Sequence, residues 1–177
     1  MCCPLFFRQS GRRQRGFSVL TLLFGAIILA AGLAFLLIGN GPNMAGMVAG
    51  QKSTQLIAQA QFIAQRIVKC ATDYPAGNNG QASHINYPAD GNPGAIPVAA
   101  LVCPGSGQNL WSGADGVYLP VAITDFSGWT YTNASPVVIS VTAIRPGQYT
   151  AAISDAATHL GSSAIASGDT LTVKVIE

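Results

Sequence analysis

The sequence predicts an α+β protein in which one long N-terminal helix, apolar at first and amphipathic afterwards, packs on a small antiparallel β-sheet. Three observations predict it. Residues 17–39 run on without a single charged side chain. Apolar residues then recur at helical spacing between residues 40 and 75, and β-branched and aromatic residues cluster in short segments near the C-terminus. A chain of 177 residues that commits this much of its length to one helix keeps enough for a single modest domain, residues 76–177.

Charge is sparse and unevenly placed. Charged residues make up 9% of the chain and hydrophobic ones 49%, against a usual charged share of about a quarter, which points to a membrane-linked or surface-assembly protein. The formal net charge of +2 arises from Arg8, Arg12, Arg13 and Arg15, all of which precede the first acid, Asp73. Beyond Gly16, five cations (Lys52, Arg66, Lys69, Arg145 and Lys174) face seven acids. A remainder so close to neutral offers no broad basic face, so no nucleic-acid partner is expected.

The apolar run Phe17–Gly39 has twenty-three residues, and at about 1.5 Å per residue a helix of that length crosses the hydrocarbon core of a bilayer. The arginines ahead of it place the N-terminus in the cytoplasm and everything after Gly39 on the far side of the membrane. An ordinary secretory signal would have a shorter apolar stretch, of about 7–15 residues, ending in a small-x-small cleavage site. Ala30, Ala31, Gly32 and Ala34 offer small residues of that kind inside the run, and an uncleaved signal anchor is the other competing reading. The same small residues, with Gly25 and Ala26, let apolar helices approach one another closely.

The junction Arg12-Arg13-Gln14-Arg15-Gly16-Phe17-Ser18-Val19-Leu20-Thr21-Leu22-Leu23 resembles the processing site of type IV prepilins and type II secretion pseudopilins. The resemblance covers the first third of the chain. It implies that residues 1–16 are a basic leader, that prepilin peptidase cuts between Gly16 and Phe17 on the cytoplasmic side, and that the new amino terminus on Phe17 is methylated. Such a cut removes the basic flank and leaves the helix of residues 17–39 attached, as an element that leaves the membrane lipid and packs against other pilin or pseudopilin subunits at an inner-membrane assembly platform. The exported domain would then lie in the periplasm or on a cell-surface filament. Most family members carry Glu at the fifth mature position, where it is thought to meet the amino terminus of a neighbouring subunit; here that position is Thr21. A hydroxyl cannot make the charge-assisted contact a carboxylate makes with an ammonium group, and in the family that loss is typical of a minor subunit at the filament tip.

Gly39-Asn40-Gly41-Pro42 should kink or melt the helix, since glycine weakens it and proline crowds the preceding turn. Residues 40–75 then continue as an amphipathic helix with Leu56, Ala60, Ile63, Ile67 and Ala71 on the buried side and Gln55, Gln59, Arg66 and Lys69 on the other. Phe62 falls in the polar stripe, at the edge of the domain's own core or against a neighbouring subunit. The helix should stop near Tyr74-Pro75. A Gly-, Asn-, Pro- and Ser-rich passage, Ala76 to Gly116, reads as a long loop. Four strands are expected after it, Val117 to Thr124, Trp129 to Asn133, Val137 to Ile144 and Leu171 to Ile176, with a weak helix over Gln148 to Leu160. A helix followed by such a sheet is the pilin-like arrangement that the resemblance implies.

Cys70 and Cys103 both fall in the exported part, where oxidising conditions permit a disulfide, and are expected to pair. Cys2 and Cys3 precede the proposed cut. Candidate chemistry is thin. His84 and His159 are the only histidines, and no ligand spacing suits a metal. Asp155 and His159 stand four apart on the short helix, and Ser106 lies in a glycine-rich loop without the turn a nucleophile elbow needs. Asp90-Gly91-Asn92 and Asp115-Gly116 have oxygens for calcium but read better as turns. Asn133-Ala134-Ser135 matches a glycosylation pattern weakened by Pro136. The expectation is therefore a non-enzymatic protein without cofactor or metal: a filament subunit or, from a different class, a permanently anchored exported binding module displaying Trp111, Tyr118, Trp129 and Tyr131, of which at least half should pack in the core.

Overall fold

The computed structural model describes residues 41–77, 85–89 and 94–176. The leader, Gly16, Phe17, Thr21 and the apolar run 17–39 therefore lie outside the described residues, as do His84 and Asp90-Gly91-Asn92. The chain divides into two compact units, Met1–Ala45 and Gly46–Glu177. Of the first, Gly41–Ala45 falls among the described residues and is helical.

Helix α1, Gly41–Asp73, is 33 residues long. Gly41 and Pro42 are helical. From Gly46 onward the sequence is rich in Ala, Gln, Leu and Ile, which favour or tolerate the helix, and Leu56, Ala60, Ile63, Ile67, Cys70 and Ala71 repeat at three- and four-residue steps as one buried stripe. Pro75 ends it, because proline disfavours helical geometry in the residue before it; the Tyr74 N–H still bonds the Cys70 carbonyl at 3.0 Å.

Among the described residues the sheet has five strands: β1, Ile96–Pro97; β2, Thr130–Thr132; β3, Val137–Thr142; β4, Ala164–Ser167; and β5, Thr170–Ile176. Their spatial order is β1-β2-β3-β5-β4, and every neighbouring pair is antiparallel. Register puts Tyr131 beside Ile139 and Ile139 beside Val173, with Val141 beside Leu171. These residues point to one face, and with Val137 they join the buried stripe of α1 in a single core. Helix α2, Thr150–Leu160, adds Ala152, Ile153 and Ala156 to it. The other sheet face carries Thr130, Thr132, Ser140, Thr142, Thr170 and Thr172, the alternation expected of a sheet covered on one side.

The architecture is α+β, and three of the four expected strands and the short helix form with ends shifted by no more than two residues. Val117 to Thr124 does not form a strand. Pro120 has no N–H to give a ladder, Val121 is 88% exposed, and the Val121 carbonyl accepts instead from Gln59 Nε2 of α1 at 2.7 Å. Two strands were not expected. The two-residue β1 and a 3-10 turn, Val98–Ala100, lie inside the passage read as loop. Strand β4 is built from Ala and Ser, which have low strand preference, and owes its place to the tight Gly168-Asp169 turn, where Gly168 supplies a φ of 56°.

Candidate functional site

Two of the three cations on α1, Lys52 and Arg66, fold back onto the domain, while the exposed Lys69 pairs with Asp73 on the same helix. Lys52 Nζ donates to the Thr124 carbonyl at 2.7 Å and lies 3.8 Å from Asp125, whose carboxylate accepts the Tyr149 hydroxyl at 2.7 Å. That hydrogen bond to a carboxylate raises the Tyr149 pKa above its ordinary value. Arg66 reaches the Leu110 carbonyl through Nε and Nη2 at 3.2 Å and pairs with Asp115. The pairing holds the Asp115 carboxyl below its ordinary range. Between Gly46 and Val68 these two cations are the only ionisable side chains.

From Gly46 to Val68, what α1 turns outward is consequently uncharged. Met47, Gln51, Thr54, Ala58, Gln61, Gln65, Val68 and Thr72 are all exposed and follow one another at alternating four- and three-residue steps. That spacing averages about 3.6 residues, so the eight positions lie along one face of the helix. Over about 38 Å of helix the stripe holds amide, hydroxyl, methyl and thioether groups, whereas a helix face bathed in water usually carries Lys and Glu. Phe62, beside the stripe, is 38% exposed with its ring 6.1 Å from Trp111, at the edge of the domain's own core.

Cys70 and Cys103 form a disulfide with Cα atoms 5.8 Å apart. It fastens the end of α1 to the loop that follows the 3-10 turn, and Arg66 and the buried Trp111, which donates from Nε1 to the Val98 carbonyl at 2.7 Å, hold the same loop further along. A cleft of about 260 Å³ remains there, lined by both cysteines with Arg66, Tyr74, Asn109 and Asp115 among others. Its charges are already matched, Arg66 with Asp115 and Lys69 with Asp73.

No candidate for chemistry assembles among the described residues. Ser53, 1% exposed, donates to Asp155 at 2.6 Å, and Asp155 lies 3.6 Å from His159. The carboxylate thus stands between hydroxyl and imidazole, and a nucleophile needs the imidazole in that place. Ser106 closes a turn, bonding the Cys103 carbonyl and the Gln108 N–H. Asp115 accepts from the Val117 N–H in an Asx-type turn, and no group of three His, Cys, Asp or Glu side chains is set to hold a metal among the described residues. Asn133 is buried, with its amide on the Pro88 carbonyl at 2.9 Å, so it is no acceptor for glycosylation.

The four aromatics considered for ligand display divide unequally. Trp111, Trp129 and Tyr131 belong to the core, and Tyr118 is 67% exposed. Trp129 Nε1 donates to Gln59 Oε1 of α1 at 2.9 Å, which explains why a residue whose spacing marked it as solvent-facing is half-buried. Among the described residues no helix is long and apolar enough to cross a membrane. The uncharged stripe was hidden in the sequence because Arg66 reads there as a solvent-facing charge and the periodicity assigns Lys52 no face; only their fold partners show which way they turn. The chain matches no protein-family profile, no curated protein and no solved structure.

Proposed function

We propose that this chain is a non-enzymatic structural subunit of a type IV pilus or type II secretion pseudopilus, in a minor or tip position. Prepilin peptidase releases it from residues 1–16, and it assembles through its N-terminal helix with other subunits at an inner-membrane platform. The bond cut is Gly16–Phe17, methylation follows at Phe17, and Thr21 in place of the family's Glu gives the tip assignment.

The observation that carries this function is the uncharged outward stripe of α1. A helix face that spent its life in water would have no reason to avoid charge over the roughly six turns from Gly46 to Val68; one covered by neighbouring helices would, because each buried unpaired charge costs several kcal/mol. Upstream, residues 17–39 have the same charge-free character in the sequence. The domain's own geometry supports a passive role, since Lys52, Arg66 and Lys69 are each paired with a carboxylate of the domain itself.

Placing carboxylates in the stripe tests it. Ala58→Glu with Gln65→Glu touches only exposed positions, so the domain should keep its stability to within about 0.5 kcal/mol. The doubly substituted subunit should nevertheless disappear from sheared surface filaments and stay in the membrane fraction. Undiminished incorporation would remove α1 from the assembly interface.

A further inference from the structure

Strand β4 forms one edge of the sheet, with β5 on one side and no strand on the other among the described residues. Edge strands ordinarily discourage pairing with lysine, proline or a bulge. Here Ala164–Ser167 has none of these, and Ile165 stands 56% exposed on the outward face, beside Thr172.

The local sequence is also its own reverse. Ser163-Ala164-Ile165-Ala166-Ser167 reads the same in both directions about Ile165. An antiparallel meeting of two copies centred there sets Ile165 against Ile165, Ala164 against Ala166 and Ser163 against Ser167, like size against like size at every position. Charge fits in the same way. No Asp, Glu, Lys or Arg lies between Asp155 and Asp169, so no like charges oppose one another along the seam. Asp169 sits in the turn that closes the β4–β5 hairpin, and Lys174 sits at its open end, one residue beyond the register partner of Ala164. Antiparallel approach brings the acidic end of each hairpin alongside the basic end of the other.

We infer that the β4 edge is a self-association surface, at which a second copy of this chain adds its own β4 antiparallel about Ile165 to make one continuous sheet across a two-fold axis. Such a contact is isologous and closes on itself. It joins two subunits, or two filaments side by side, and cannot by itself propagate a filament; it stands apart from the stripe on α1 and does not rest on the function proposed above.

Register-specific crosslinking tests it on the full chain in detergent, with Cys2→Ser and Cys3→Ser so that the introduced thiol is the free one. Directly opposed residues of an antiparallel pair have Cα atoms about 4.5–5.5 Å apart, within disulfide reach. Ile165→Cys alone should therefore give an oxidised dimer. Ala164→Cys and Ala166→Cys should each stay monomeric and crosslink when mixed, and Ser154→Cys on the exposed side of α2 should not crosslink. Ile165→Lys, which opposes like charges at the centre, should weaken the dimer about tenfold or more in a sedimentation titration. A monomeric Ile165→Cys protein, or equal crosslinking at all four positions, would overturn the inference, as would an Ile165→Lys protein that dimerises as well as the parent.

Discussion

Removing the Cys70–Cys103 disulfide tests how the domain of residues 46–177 is held together. The bridge closes a loop across a sequence separation of 33. In the chain-entropy treatment such a loop costs the unfolded state about 12.5 cal/mol/K, or about 3.7 kcal/mol at 25 °C. Arg66 and Trp111 anchor the same loop from other directions, so the fold should survive the loss with its stability lowered. The perturbation is Cys70→Ala with Cys103→Ala, both at nearly buried positions where a small apolar side chain fits. Urea titration followed by tryptophan fluorescence is the assay, since Trp111 lies in the tethered segment and Trp129 in the core, and unfolding exposes both. The expected outcome is a loss of about 3–4 kcal/mol, with a matching loss when the parent protein is titrated under reductant. A loss below about 1 kcal/mol in both experiments would refute the reasoning, because it would mean the two cysteines do not constrain the unfolded chain.

Two further outcomes are expected. Tyr131 is fully buried, and its hydroxyl is the one buried side-chain polar atom among the described residues without a hydrogen-bond partner; burial first, and the nearby Tyr87 second, hold its pKa far above the ordinary value. Tyr131→Phe should consequently stabilise the domain by about 1–2 kcal/mol in the same urea assay, and a destabilisation of 1 kcal/mol would mean that the hydroxyl has a partner after all. Asp115 has its folded-state pKa depressed, with Arg66 as the main cause, so its contribution is present above the ordinary carboxylate value of 3.8 and is lost as pH falls through the lower folded value. Hydrogen exchange at residues 110–117 should therefore accelerate as pH is lowered below 3.8 once the intrinsic rate is divided out, and Asp115→Asn should abolish that dependence; equal profiles for the two proteins would count against the pairing.

The parts of this fold that were legible in sequence are those where burial imposes a period. The Leu56-Ala60-Ile63-Ile67 stripe repeats because it faces a core, and Val137-Ile139-Val141 alternates for the same reason. Elements held by other forces were not legible. Strand β4 is set by a turn and by register with β5, and its own residues carry no strand signal. The segment after Val117 has strand-forming residues but loses the ladder at Pro120 and gives its acceptor to Gln59. The disulfide could be foreseen because Cys70 and Cys103 are the two cysteines beyond the apolar run, whereas the direction of Lys52 and Arg66, and with it the uncharged stripe of α1, depended on partners 44 to 72 residues away.

The most direct measurement of the central claim is the intact mass and N-terminal sequence of the protein from cells with and without prepilin peptidase. The assembly account expects a chain beginning at Phe17 with a methylated amino group when the peptidase is present, and one longer by the sixteen leader residues when it is absent. A finished protein that still begins at Met1 in the presence of the peptidase, or one that begins after Ala34 with its apolar run removed, would contradict it.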